Sequence, residues 1–324
     1  LSQLALQEPE AEITGELPPV APGSVEVTYV TNKAVKRSEF TPIQNALHTL
    51  PYIGVHVGAL LVFFVGFSWI ALATCLLLYW VRMFGITGGY HRYFSHRSFK
   101  TSRSFQFVLA VLGNASAQMG PLWWAAHHRH HHRHSDTEDD THSPHIHGFL
   151  WSHTGWFLSP RHAETNGKEI RDLVKYPELV WLNENHSVVP ILLASSLFGL
   201  GLALAAWAPW LGTNGLQMLI WGFFLSTVIL YHGTFTINSL AHIFGYRTFE
   251  TRDSSRNNWL LAILTMGEGW HNNHHRYPSS ERQGFYWWEF DLTHLVLRGL
   301  EKVGIVWDLR EPPLEILESG RSKG

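Results

Sequence analysis

Along this chain, formal charge is absent from two long windows. No Asp, Glu, Lys or Arg occurs between Glu39 and Arg82, and none between Glu184 and Arg247. A helix that crosses the hydrocarbon core of a bilayer needs about 20 mostly apolar residues, so each window is long enough for two crossings. The first divides into predicted spans at about 51–68 and 70–89, with a very short turn near Phe67, Ser68 and Trp69. The second divides into about 188–209 and 215–237, around a turn from Pro209 to Gly215. Neither turn is charged. The basic residues fall in the N-terminal stretch, the long middle segment and the C-terminal segment, which the positive-inside rule places on the cytoplasmic side.

One further stretch, Ser104 to His128, also lacks Asp, Glu, Lys and Arg. It contains Asn114, Ser116, Gln118, Gly120 and Pro121, which are poor residues to face lipid. A crossing there would separate the histidines on its two sides by about 30 Å. It is therefore expected to be interfacial or re-entrant, with Trp123 and Trp124 near the boundary. The predicted architecture is an all-α integral membrane protein with four transmembrane helices beneath a cytoplasmic helical cap. The cap comprises 90–187 and 238–324, and one domain covers 41–324. Residues 1–40, acidic and carrying Pro9, Pro18, Pro19 and Pro22, read as a flexible leader without a signal-peptide pattern.

Composition sharpens this picture. Charged residues make up 15% of the chain, against about a quarter in an average soluble domain. Net charge is −2, so neither nucleic acid nor a strongly acidic partner is indicated. The single cysteine, Cys75, rules out an intrachain disulfide scaffold and a thiolate zinc cluster. Histidine, at 22 residues, nearly equals lysine plus arginine at 24.

Those histidines are concentrated. One cluster holds His91 and His96; a second runs through His127, His128, His130, His131, His132 and His134; a third is His271, His274 and His275. Asn238 and His242 close the fourth predicted span. Residues three and four apart share a helix face, so His271, His274 and His275 point toward one locus. The second cluster permits two registers, His128/His131/His132 or His127/His130/His131. His91 and His96 diverge on an ideal helix and suit a helix end or turn. Neutral imidazole is a common ligand for iron, zinc, copper and nickel. An even number of crossings separates the clusters, so all are expected on one face, just outside the bilayer. The run 127–134 taken alone also fits a metal-buffering loop. His48, His56, His232 and His294 read as ordinary polar histidines, and His142, His145, His147 and His153 as orienting groups or a polar loop.

At this point the residues resemble the membrane-bound fatty acyl desaturases, especially the Δ9 type related to stearoyl-CoA desaturase. The likeness runs from about Gly85 to Leu309. It includes His91-Arg-Tyr-Phe-Ser-His96, Ser152-His-Thr-Gly-Trp156, Asn238-Ser-Leu-Ala-His242 and Gly267-Glu-Gly-Trp-His-Asn-Asn-His-His275. The resemblance implies nine ligands: His91, His96, His128, His131, His132, His242, His271, His274 and His275. Asn238 would reach one metal through water. The register 128/131/132 is the one that keeps the family's spacing from Gln118 and Trp124 to the second box. Gln118, Trp124 and Trp156 would line a bent acyl channel, and Tyr79 would limit chain length. Where acyl-CoA enzymes carry an arginine and an aspartate before the second box, this chain has Ala126 and His127.

The implied reaction places a cis double bond, at Δ9, into a saturated fatty acyl chain, with two Fe ions and O2 as co-substrate. Zinc would be an artefact of expression. The acyl carrier is expected to be CoA, with acyl-lipid and acyl-carrier protein as alternatives. No haem motif and no flavin or nicotinamide glycine fingerprint is evident. An external donor, ferredoxin, rubredoxin or cytochrome b5, is therefore expected. Two rival readings are a di-iron lipid or alkane hydroxylase and, more remotely, a membrane metal transporter.

Overall fold

The computed structural model describes residues 42–321, with side chains from Thr49 onward. The stretch read as a leader lies outside the described residues. The chain opens with α1 (Pro42–Leu60), which tightens into a short 3₁₀ turn over Leu61–Phe63. Gly66, at φ 74°, reverses the chain, and Ser68 caps α2 (Trp69–Phe84) by accepting from the Ala71 amide at 3.4 Å. The helix then continues through Gly85–Ser95 as wider π-type turns. The strand β1 (Lys100–Thr101) leads into α3 (Arg103–Asn114) and α4 (Pro121–His134). Two short helices, α5 (Pro144–His147) and α6 (Trp156–Leu158), precede α7 (Pro177–Glu184).

The second apolar region holds α8 (Val188–Trp207) and a helix built of α9 (Gly215–Leu219), π turns over Ile220–Leu225 and α10 (Ser226–Ser239). Gly212 at φ 60° makes the intervening turn, and Asn214 accepts from the Gln217 amide at 3.0 Å to cap α9. A last series, α11 (Trp259–Leu264), α12 (His271–Arg276), α13 (Leu292–Lys302) and α14 (Leu314–Arg321), completes the chain. Strand β2 (Val306–Trp307) pairs antiparallel with β1, Lys100 opposite Trp307.

Among the described residues, three continuous helices are long and apolar enough to cross a membrane: Trp69–Ser95, Val188–Trp207 and Gly215–His242. They carry three of the four predicted spans, two of them longer than expected at the end nearest the histidines. The first predicted span differs. Its apolar helical part, Thr49–Phe63, stops well before residue 68, because the 3₁₀ turn and Gly66 end it early. The segment expected to be interfacial is α3, a loop and the start of α4; at 12 residues, α3 is too short to cross.

Apolar side chains point outward along these helices: Phe63 is 79% exposed, Phe64 83% and Trp207 81%. In water such surface would be costly; against lipid it is neutral. Inside, the largest core cluster joins the end of the α2 helix to α3, α4 and α7 through Tyr90, Phe94, Leu109, Leu122 and Leu179. Gly85 makes that junction possible, since a Cβ there would lie 2.5 Å from the Leu112 carbonyl carbon.

Candidate metal centre and acyl cavity

The π turns after α2 decide where the first histidine pair points. With 3.6 residues per turn, positions five apart would diverge by about 140°. Here the His96 amide donates to the His91 carbonyl at 3.2 Å, five residues back, and the wider turn brings both imidazoles together at 4.8 Å between centroids. The second pair of boxes uses ordinary helical spacing, on α4 and α12.

Nine imidazoles converge into two groups. His91, His96, His128, His132 and His274 form one, and His131, His242, His271 and His275 the other, with the potential ligand atoms of each group within 4.8 Å of one another. In the first group, Nε2 atoms face each other at 2.8 Å for His96–His128, 3.0 Å for His128–His132, 2.9 Å for His132–His274 and 3.1 Å for His91–His274. In the second, His242 and His271 face at 3.1 Å. His127 and His130 fall in neither group: His127 faces the Glu164 carbonyl, and His130 the Asp139 carbonyl. Asn238, four residues before His242, lines the cavities beside the groups.

The outer nitrogens explain why the inner ones are bare. His91 Nδ1 contacts the Glu268 carboxylate; His131 Nδ1 faces Asp140 at 3.1 Å, His242 Nδ1 faces Asp136 at 3.2 Å, and His275 Nδ1 faces Asp253 at 2.6 Å. A carboxylate partner keeps the proton on Nδ1 and leaves a lone pair on Nε2. Several such lone pairs crowded at about 3 Å repel one another unless a cation sits among them. His275 Nε2 is buried without any hydrogen-bond partner, as are His271 Nδ1 and His274 Nδ1. The donor set therefore fits metal ions.

Charge is arranged accordingly. Burial, reinforced by neighbouring imidazoles, holds His96, His128, His132, His271 and His274 well below the usual histidine range. Burial also takes His275 down to about 4 despite Asp253. His131 is the exception, raised because Asp140 outweighs the burial. Against the upward push of burial, the facing imidazoles keep Asp136, Asp140 and Asp253 below the usual carboxylate range. His96, His128, His132, His271, His274 and His275 are thus held as neutral imidazoles, the state that binds metal.

Beside the groups lies a cavity of about 900 Å³. Gln118, Trp124 and Trp156 line it, with His128 and Asn238 reaching it from the histidine groups. Among the described residues, no Asp, Glu, Lys or Arg lines it. A smaller cavity, bordered by Met83 and Thr265, shares Trp124, His128, Thr234 and Asn238 with it. Gln118 Nε2 donates to Thr234 Oγ1 at 3.1 Å across the junction of the two. Ala126 is buried, and His127 lines the large cavity with its imidazole pushed by burial down to about 3. Tyr79 lines neither cavity: its hydroxyl donates to the Leu264 carbonyl at 2.5 Å, which draws the ring toward α11 and packs it behind Met83.

The remaining histidines sort clearly. His142 stacks on His131 at 4.3 Å and forms a further potential ligand group with Asp140. His145 Nε2 faces the His242 carbonyl at 3.0 Å, and His147 Nε2 the Asp140 carbonyl at 2.8 Å. His153 bonds His232, which bonds His56. His294 pairs with Glu281. Sequence reasoning missed Asp136, Asp140, Asp253 and Glu268. Glu268 lay inside a quoted motif, three residues before His271, and the acidic run after the second box was the other available signal.

Fold and site together define a helical protein with membrane-length apolar helices and two buried groups of imidazoles able to hold metal ions, beside a mostly apolar cavity. The chain belongs to the fatty acid desaturase family, whose profile matches residues 67–309. It is 39% identical to an sn-1 stearoyl-lipid 9-desaturase of Anabaena variabilis, covering 83% of this chain and 95% of that protein. It is 38% identical to an sn-1 stearoyl-lipid 9-desaturase of Synechocystis sp., over 81% of this chain and 79% of that one. An acyl-CoA 5-desaturase of Anemone leveillei is 36% identical over 82% of this chain and 79% of its own length. The chain is accordingly an oxidoreductase of lipid metabolism.

Proposed function

We propose that this chain inserts a cis double bond at carbon 9 of a saturated acyl chain carried on a membrane glycerolipid, using O2, two irons and electrons from a separate donor protein. The observation that carries the reading is that His128 opens onto the large, mostly apolar cavity, while His91, His131 and His271 of the two imidazole groups line the smaller cavity that joins it at Trp124, His128, Thr234 and Asn238. His91, His96, His128, His132 and His274 would hold one iron. His131, His242, His271 and His275 would hold the other, with Asn238 reaching it through water. An unactivated C–H bond offers no acid for a side-chain base to titrate, so the bound irons supply the oxidising chemistry.

The chain's own residues bind, orient and exclude water. Trp124 and Trp156 pack the acyl chain, and the Gln118–Thr234 hydrogen bond braces the wall where it passes His128. The uncharged cavity lining favours a neutral lipid carrier: an anionic CoA or carrier protein would find no counter-charge there. The two 9-desaturase relatives named for lipid substrates point the same way. In this reading α1 is the first of four spans, the cap lies on the cytoplasmic side, and the donor is a ferredoxin, rubredoxin or cytochrome b5 docking there.

The test is expression in a host without desaturases, followed by mass spectrometry of extracted lipids. The expected product is a cis-9 monoene lighter by two hydrogens and esterified to glycerolipid. A product heavier by one oxygen would favour a hydroxylase, and unaltered lipids would defeat the reading. Purified enzyme with donor, offered stearoyl-lipid vesicles or stearoyl-CoA, decides the carrier.

A further inference from the structure

Arg82 is a buried guanidinium in a helix of membrane length, and no carboxylate among the described residues forms an ion pair with it. An ionisable side chain in that setting needs a structural reason. Its acceptors supply one: Leu78 O at 3.1 Å, Thr227 Oγ1 at 2.7 Å, Ser226 Oγ at 2.5 Å and Ala115 O at 3.3 Å. The last of these belongs to the loop between α3 and α4. That loop is held at alternate carbonyls by two elements, the continuous Trp69–Ser95 helix and α10. Arg82 takes Ala115 O, Tyr231 OH on α10 donates to Ala117 O at 2.7 Å, and Tyr90 OH donates to Met119 O at 3.1 Å. Ser116 Oγ answers by donating to the Arg82 carbonyl at 3.1 Å.

The loop is strained where it is held. Ala117 and Met119 sit at φ 56° and 64°, a left-handed conformation that residues other than glycine adopt only when their surroundings impose it. Between them, Gln118 is directed to Thr234 at the junction of the two cavities, beside His128 and Asn238. Ala117, Gln118 and Met119 all line the large cavity.

We propose that Arg82, Tyr231 and Tyr90 clamp this strained loop so that it fixes where the acyl chain bends past the metals, and thereby which carbon pair is oxidised. They are positioning residues for regiochemistry, and the assignment rests on the desaturase reading above. Loosening the clamp lets the loop relax, and the chain then slides by a methylene or two before reaction.

The test compares Arg82→Lys, Tyr231→Phe and Tyr90→Phe with the unaltered enzyme in a desaturase-free host. Double-bond positions are read by mass spectrometry of dimethyl disulfide adducts, and bound metal is measured on the purified proteins. Each variant is expected to raise the proportion of off-position monoene roughly fivefold, the effect of losing about one hydrogen bond, with metal content retained. Tyr231→Phe and Tyr90→Phe each remove one hydroxyl and its bond to the loop, so they keep the test decisive should Arg82→Lys fail to fold. A merely structural role would lower product and metal together while leaving bond position unchanged. An unchanged positional ratio in metal-replete Tyr231→Phe and Tyr90→Phe overturns the proposal. Absence of any monoene from the unaltered enzyme would instead defeat the desaturase reading.

Discussion

Asp253 shows how one carboxylate governs what its histidine offers. It is itself fixed by the Ser255 amide at 3.0 Å and by hydroxyls of Ser255 and Thr251, so its grip on His275 Nδ1 is rigid. With the proton held there, His275 Nε2 faces inward as a lone pair. Asp253→Asn would offer its amide as readily as its oxygen and relax that choice. Metal affinity is expected to fall about 10–100-fold, measured by chelator competition on purified protein; an unaltered affinity would show that Asp253 does not tune the site. The imidazoles were legible in the sequence because helical spacing collects them. The carboxylates were not, because no helical spacing links them to their histidines: Asp136 is 106 positions from His242 and Glu268 is 177 from His91, while Asp140 and Asp253 reach His131 and His275 through loops 9 and 22 positions away.

At the scale of elements, α12 is too short to be stable on its own, although it carries three of the histidines. Side-chain amides hold it in place. Asn257 Oδ1 accepts from the Asn272 and Asn273 amides, and Asn273 Nδ2 donates to Glu289 at 2.8 Å. Burial pushes the Glu289 carboxyl up to about 7. A carboxyl whose folded pKa is raised contributes stability fully at acid pH, below about 4.5, and loses it as pH rises through about 7. The loss is roughly 1.4 kcal/mol for each pH step between those values. Glu289→Gln should therefore flatten the fall in melting temperature between pH 5 and 8. A parallel fall in both proteins would locate the effect elsewhere. Most elements were legible from charge-free windows and helical spacing. The π turns were not, since nothing in a one-dimensional pattern distinguishes five residues per turn from the end of a helix. The early stop of the first apolar helix and the turn of Tyr79 toward α11 also depend on contacts that spacing cannot encode.

At the scale of the whole molecule, the four-span reading makes a topological demand. Arg161 lies in the cap segment and Trp210 in the turn between the second pair of apolar helices, and both are exposed. In a Cys75→Ser background, Arg161→Cys and Trp210→Cys should react with an impermeant maleimide from opposite sides of sealed vesicles. Labelling of both from one side would contradict the arrangement. Cap and helices also depend on each other: the cavity takes walls from α1, α8 and α10 and from the cap helices α4 and α6.

The clamp at Arg82 has a consequence for how such a chain is made. Two of its acceptors, Ser226 and Thr227, are synthesised 144 and 145 positions later. An arginine near the middle of an isolated transmembrane helix costs about 2.5–3.5 kcal/mol to insert, and less toward its ends. The α2 helix therefore leaves the ribosome before the groups that make its burial favourable exist. In the four-span reading its guanidinium stays near the polar headgroups until α10 arrives, and the first hairpin settles to its final depth only as the second is laid in beside it. Biogenesis of the two halves is thus coupled, with the later one completing the membrane insertion of the earlier.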